Sequence, residues 1–285
     1  MLISRRMRNL LLSFLIVSTL VLVALIVGDW IPYLRGPAPG TSEWHWPHLL
    51  RPSGRWWPSI LAATFMLAVA AWWFATEKAT RRQNIIAITG LISASLLLQL
   101  ALVYADRSTV SAELLDRTLS NQASGFFEPA AEVENIARLL RDYPQVMPSF
   151  VSEHAQTHPP GLIVANWLTI KGFARWPALS QRIARLIWPL RCADLWLLDR
   201  PPQVAAALGF WSIWPILAAA LTVIPAFGLA RHLLDGRAVP LASVLAATLP
   251  SLILFAPKSV QLYAPLVLIL FWTFHSGLAI RSTWR

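Results

Sequence analysis

Long apolar stretches alternate with short polar and basic clusters along this chain, and that pattern sets the expected architecture. Asn9–Gly28, Ser59–Ala75, Ile85–Tyr104, Leu162–Phe173, Val204–Ala230, Leu241–Phe255 and Val260–Ile280 are predominantly apolar. Runs of about 20 such residues have the length needed to cross a hydrocarbon core. Leu162–Phe173 is short for that purpose, and a re-entrant segment is the alternative reading of it. Lipid offers backbone groups no partners, so spanning segments must be helices. Nothing alternates over stretches of roughly ten residues as a barrel strand would. The expectation is an all-α, polytopic membrane protein with about six or seven transmembrane helices and a long external loop. The last two runs are separated only by Ala256-Pro257-Lys258-Ser259, which predicts a tight helical pair.

The polar clusters orient the spans. Met1–Arg8 is a basic lead. The apolar run behind it is too long for a secretory signal core, and Gly28-Asp29-Trp30 is a poor cleavage site, so a retained first span is expected. Arg5, Arg6 and Arg8, and then Lys78, Arg81 and Arg82, belong inside by the positive-inside rule. The N-terminus is therefore expected in the cytoplasm, with the loops Asp29–Pro58 and Ala105–Pro160 outside. Arg175, Arg182, Arg185, Arg191 and Arg200 follow the fourth run and fit a return to the cytoplasm. Arg231 and Arg237 fall outside by the same count, which requires an incomplete fourth span or an irregular fifth. Three regions result: a membrane part with three spans and a Trp/Pro-rich loop (1–104), an external loop (105–160) and a second membrane part (161–285).

Composition agrees with this class. The 285 residues are 56% hydrophobic and only 13% charged, with a mean hydropathy of +0.54. The net charge of +10 is unevenly spread. Eight of the 14 acidic residues lie between 105 and 160, a stretch with four Arg and no Lys. The basic remainder flanks apolar runs, where anionic lipid headgroups are the expected partners rather than nucleic acid. Cys192 is the single cysteine, which excludes an internal disulfide and a cysteine metal cluster. No internal repeat is present.

The two external loops differ. The first carries Trp30, Trp44, Trp46, Trp56 and Trp57 among prolines and glycines. Indole rings suit the membrane interface, and aromatic faces also stack on sugar rings; both readings stay open. The second is too long to be a mere connection. Pro129 can open a helix, and Val133, Ile136, Ala137 and Leu140 then share one face at amphipathic spacing. Pro144 stops this helix after Tyr143, and a second helix is expected over Ser111–Leu119. Such helices can lie flat on a membrane with the apolar face down.

Candidate chemistry gathers in His154-Ala155-Gln156-Thr157-His158-Pro159-Pro160-Gly161. Histidines four apart can bind zinc on a helix, but Pro159 pushes His158 away from helical geometry and no third ligand stands out, so no metal is assigned. The plainer reading makes Thr157 a cap, with the prolines in the first turn of the next helix. Carboxylates at an interface can serve as bases when partly desolvated. Asp106, directly after the third span, and Glu128, at the start of the amphipathic helix, are the candidates.

An apolar span, a long outer loop with amphipathic helices and acidic residues, and a proline pair opening the next span follow one another here. That order resembles the first external loop of the GT-C superfamily of integral-membrane glycosyltransferases, such as the protein O-mannosyltransferase-like and aminoarabinose-transferase-like enzymes. Thr157-His158-Pro159-Pro160-Gly161 carries the resemblance, and Tyr143-Pro144-Gln145-Val146-Met147 is similar to a pattern among bacterial members. It covers roughly Ile85 to Ile280. The resemblance implies a sugar donor linked to polyprenyl phosphate and a loop carboxylate, Asp106 or Glu128, as base. It further implies that Arg107, His154, Thr157 and His158 bind substrate. Several GT-C families use a divalent metal; no cofactor and no ligand set is evident here. Two features depart from the family pattern. Asp106-Arg107 stands where an adjacent Asp-Glu pair is usual, and the chain has fewer spans than such enzymes, as a truncated or minimal relative would. A non-catalytic membrane subunit or scaffold, and a transporter-like protein, are the competing classes. A transporter predicts charged residues within spans, and few are present. The oligomeric state has no signature in the sequence.

Overall fold

A computed structural model describes residues 5–36, 53–76, 78–107, 109–192 and 194–282, and every regular element among them is helical. Residues 1–52 and 53–285 are separate units. The first holds α1 (Arg5–Val27), followed by a 3-10 turn at Pro32–Arg35. Trp44 and Trp46 lie outside the described residues.

The second unit begins with a helical hairpin. α2 (Trp57–Ala75) has Pro58 in its first turn. α3 (Arg81–Asp106) starts at a capping box, in which the Thr80 hydroxyl accepts from Gln83 N–H while Thr80 N–H donates to the Gln83 side chain at 2.8 Å. α4 (Val110–Leu119) follows in place of the expected helix over Ser111–Leu119. The helix expected from Pro129 to Tyr143 is instead divided into α5 (Phe127–Glu132) and α6 (Ile136–Arg141). Asn135 restarts it, its side-chain oxygen accepting from Arg138 N–H at 3.1 Å. The restart shifts the apolar phase: Leu139 is buried and Leu140 is exposed. Pro144 sits in the first turn of α7 (Tyr143–Val146) rather than ending a helix. α8 (Glu153–Thr157) completes the region. Its apolar side does not face lipid. Phe126, Ala130, Leu139, Tyr143 and Ala155 form one core with Ile163 of α9 (Gly161–Ala174).

α9 is only 14 residues long, about 21 Å against a hydrocarbon core of about 30 Å. The Phe173 carbonyl accepts from the Ser180 hydroxyl at 2.7 Å, turning the chain into α10 (Pro177–Leu186). α11 (Trp188–Arg191) and α12 (Leu195–Leu198) follow. The chain is then back where α9 began. Arg200 pairs with Glu132 at 3.0 Å, and the Trp196 ring meets Phe127. The chain from α9 to α12 thus leaves and returns to the same end of the unit. Arg191 and Arg200 stand at the end that holds α4–α8, against the expectation that they return to the opposite side.

α13 (Pro202–Leu221) is the central pillar, buried along most of its length by α4, α9 and α10. α14 (Val223–Leu233) continues it after a break at Thr222. Pro225 has no N–H for the Leu221 carbonyl, which explains the break. α15 (Ala238–Ala247) returns along α14, and Pro250 starts the separate short helix α16 (Pro250–Ile253), so the sixth run is not one helix. The final helix, α17 (Tyr263–Ser282), packs on α14 rather than forming a tight pair with the run before it. Gly228 permits this approach, because a Cβ there would run into the Trp272 indole.

Among the described residues, four helical stretches are long and apolar enough to cross a membrane: Trp57–Ala75, Arg81–Asp106, Pro202–Leu233 and Ser259–Leu278. Two neutral amides tie three of them together. Fully buried Gln261 donates to Gln99 Oε1 at 2.8 Å and to the Leu252 carbonyl, while Gln99 donates to the Ile216 carbonyl at 3.3 Å. Arg231 and Arg237 line a cavity with Thr76, Ala79 and Asn84 from the α2–α3 turn. They thus lie at the end opposite Asp106, since α3 runs from one end to the other.

This arrangement makes a labelling prediction. Exposed Cys192 and, in a Cys192→Ser background, Ser149→Cys react with a membrane-impermeant maleimide from the same side of sealed vesicles. Asp235→Cys reacts only from the other. Cys192 labelling from the Asp235 side would mean that α9 and α10 together cross the bilayer.

Candidate functional site

The end that carries α4–α8 is organised by Arg117. Glu113 and Arg117 are one turn apart on α4, a spacing that brings their side chains together, and Arg117 Nε meets Glu113 Oε1 at 2.7 Å. The Nη2 group of Arg117 reaches Asp106 at the end of α3, also at 2.7 Å. Its Nη1 donates to the Ala256 carbonyl at 2.9 Å. Arg107 closes the chain by pairing with Glu113 at 3.0 Å. Glu113 is 7% exposed and Asp106 28%. Arg107 and Glu113 also border a cavity of about 270 Å³ that Asp116, Asp194 and Leu208 help to close.

Ala256 leads to a second cavity. Phe255 and Lys258, on either side of it in sequence, line a space of about 320 Å³ together with His154, His158, Ser259 and Tyr263. Phe126, Leu162 and Val260 make much of its wall apolar. His154 lies in the first turn of α8 and His158 directly follows the helix, and their rings lie 5.7 Å apart at 62°. His158 ends that helix in an extended conformation, as Pro159 requires. Its Nδ1 lies 3.0 Å from the His154 carbonyl and 3.0 Å from the Thr157 hydroxyl. The Thr157 hydroxyl donates to the Glu153 carbonyl at 2.7 Å, so Thr157 belongs to α8 and does not cap α9. Pro160 holds the capping position of α9, with no side-chain hydrogen bond.

Tyr143 fixes this turn from below. Its hydroxyl donates to the carbonyls of Ala155, at 3.1 Å, and His158, at 2.8 Å. Burial raises the Tyr143 pKa above its ordinary value. Gly125 sets the other wall: its φ is +67°, and a Cβ would collide with the Ser152 hydroxyl, which donates to the Asn121 carbonyl at 3.0 Å.

The residues expected from sequence are thus divided. His154 and His158 share one cavity. Asp106 stands behind it, joined through Arg117 and Ala256. Arg107 opens onto the neighbouring cavity. Glu128 is elsewhere: it accepts from Asn121 Nδ2 at 2.6 Å and lines a third cavity with Glu132 and Phe150. Sequence reasoning missed Arg117 and Lys258. The Glu113–Arg117 spacing was a signal for the first; nothing local marks the second. Among the described residues, no three His, Cys, Asp or Glu side chains are grouped to hold a metal ion. No known family, curated protein or solved structure matches this chain.

Two stability predictions follow from these contacts. Arg117→Gln strips the enclosed Glu113 of one partner and Asp106 of another, and should cost about 2 kcal/mol after allowance for partial exposure. A thermal melt in detergent reads this as a loss of several degrees. The raised pKa of Tyr143 means that the unfolded chain releases its proton first as pH rises. Stability should therefore hold below about pH 10 and fall above it. In Tyr143→Phe that alkaline decline is smaller, while stability at neutral pH drops by about 1–3 kcal/mol because two carbonyls lose their donor.

Proposed function

We propose that this chain is a GT-C-type membrane glycosyltransferase that takes a sugar from a polyprenyl-phosphate donor at the α4–α8 end. The observation that carries the reading is the cavity where His154 and His158 meet Lys258, with the Asp106–Arg117 pair behind it. A phosphate leaving group needs positive charge and hydrogen-bond donors in a dry setting. Lys258 and the two imidazoles supply them, and Phe126, Leu162, Phe255 and Val260 supply the apolar wall. Exposed Val260, Tyr263 and Leu266 continue that wall along α17 toward lipid, where a prenyl chain can lie.

In this reading the acceptor hydroxyl attacks the anomeric carbon and the bond from that carbon to the phosphate oxygen breaks. The electron pair leaves with the lipid phosphate, and the hydroxyl proton passes to Asp106. Arg117 orients the carboxylate. Asp106 is favoured over Glu128 because it connects through Arg117 to the Ala256 carbonyl, next to Phe255 in that cavity's wall, whereas Glu128 opens onto a different cavity. The sidedness follows the basic residues: Lys78, Arg81, Arg82, Arg231 and Arg237 belong to the end opposite Asp106. That end, with the N-terminus, is assigned to the cytoplasm. Pro202–Leu233 is then a single outside-to-inside passage, which brings Arg231 and Arg237 inside, while Arg191 and Arg200 are held outside by their own contacts.

The test is release of polyprenyl phosphate from a panel of polyprenyl-phosphate sugars in proteoliposomes. Asp106→Asn should lower the rate about 10²–10⁴-fold, and Lys258→Ala should weaken donor binding, while Glu128→Gln stays within a few-fold of wild type. Turnover that survives Asp106→Asn in folded protein would remove Asp106 as base. Binding of prenyl phosphate without turnover would favour the scaffold class.

A further inference from the structure

The chain from α9 to α11 carries a one-sided charge that the transferase reading does not use. Gly161–Cys192 contains Lys171, Arg175, Arg182, Arg185 and Arg191 and no Asp or Glu. α9, α11 and α13, the elements packed on α10, have no carboxylate either. The next acid in sequence, Asp194, is engaged as the cap of α12, its Oδ1 accepting from Leu197 N–H at 2.8 Å. α10 buries Ser180 and Ala184. Leu179, Arg182 and Leu186 recur at three- and four-residue spacing on another face. All three are exposed, Leu186 by 81%, and Trp176, just ahead of the helix, by 64%.

Contacts along the pillar give the height of α10. Gln99 of α3 meets both the Ile216 carbonyl of α13 and Gln261. The apolar stretch that contains α17 begins at Ser259, so the hydrocarbon boundary at this end lies near Gln99. Asp106 stands about 10 Å beyond Gln99 along α3, and Phe210 about 9 Å beyond Ile216 in the same direction along α13. Phe173 meets Phe210 with ring centroids 6.3 Å apart, and its carbonyl holds the Ser180 hydroxyl. Ile183 and Ile187 both pack on Gly209. From Ser180 to Ile187, α10 therefore keeps one height on α13 and lies across it. That height is level with Asp106, at the headgroups, whose layer adds roughly 5–7 Å to each side of the hydrocarbon.

We infer that α10 lies in the headgroup layer at the α4–α8 end and docks on anionic phospholipid. Trp176, Leu179 and Leu186 enter the acyl boundary, and Arg175, Arg182 and Arg185 take the lipid phosphates. A helix with an exposed apolar stripe beside cations is suited to the plane of the interface. Indole favours the same depth. Guanidinium forks match phosphate oxygens, and cations without neighbouring carboxylates favour an anionic leaflet. Deeper in the bilayer the same arginines would be costly.

The test uses the full chain in proteoliposomes of phosphatidylcholine and phosphatidylglycerol. Leu179→Cys, Leu186→Cys and Gln181→Cys, each with Cys192→Ser, carry a polarity-sensitive fluorophore. At Leu179 and Leu186 the emission should shift to the blue and be quenched more by a nitroxide near the headgroup than by one at mid-chain. Gln181, two residues from Leu179 and so on the opposite side of the helix, should keep water-like emission. Spin-labelled phosphatidylglycerol should quench better than spin-labelled phosphatidylcholine, by up to about fivefold per arginine. That preference should fall in Arg182→Gln/Arg185→Gln, which alters exposed side chains only. Water-like, unquenched emission at Leu179 and Leu186 in folded protein overturns the inference. So does stronger quenching from mid-chain, which would put α10 inside the bilayer, or protection that appears only at high protein density, which would make a second copy the occupant. No sugar transfer enters this readout, so it fails or succeeds independently of the Asp106 and Lys258 experiments.

Discussion

Arg117 is the side chain on which the candidate site depends. It joins three pieces of chain that nothing else aligns so directly: the end of α3 through Asp106, the first turns of α4 through Glu113, and the segment before α17 through the Ala256 carbonyl, 139 residues away. Two carboxylates so near one another repel unless a cation lies between them. A guanidinium has enough donors to bind both and still reach a carbonyl; an ammonium offers no such planar fork. The position of Phe255 and Lys258, and so the far wall of the His154–His158 cavity, follows from that third contact.

The excursion from α9 to α12 gives the second unit its polarity. Because the chain comes back to where α9 began, the pillar α13 starts at the α4–α8 end and α14 finishes at the other. Basic residues then separate by role. Arg191 ties down its own loop by donating to the carbonyls of Leu197, Leu198 and Arg200. Arg200 pairs with Glu132 and covers the Trp196 ring. Both are held by their own contacts at the α4–α8 end. Arg231 and Arg237 are set apart from them at the far end.

Much of the architecture was legible because apolarity over about 20 residues is a local property. α2, α3 and α17 stand where their runs predicted, and α4 where its short helix was expected. The failures were all non-local or a matter of phase. Leu162–Phe173 was ambiguous by length, and contacts distant in sequence, the Arg200–Glu132 pair 68 residues apart and the Trp196–Phe127 rings, fix where the following chain goes. Asn135 was a readable helix start, but Pro129 offered a competing one, and the choice moved Leu139 and Leu140 to opposite environments. The His154–His158 pair was visible as a motif. Its partner Lys258 was not, because a lysine in a turn carries no sign of what packs beside it. Glu128 and Asp106 looked equivalent in sequence, and only the partner of each, Asn121 for one and Arg117 for the other, distinguishes them.

The Gln99–Gln261 contact has a bearing on how far a change at one end can travel. Both side chains are uncharged amides shut away from water, so neither acidity nor ionic strength alters the hydrogen bonds they make. The junction of α3, α13 and the chain leading into α17 thus lacks an electrostatic handle. Charge can be rearranged around Arg117 while this junction keeps its register. The molecule sets an electrically responsive end beside an inert clasp.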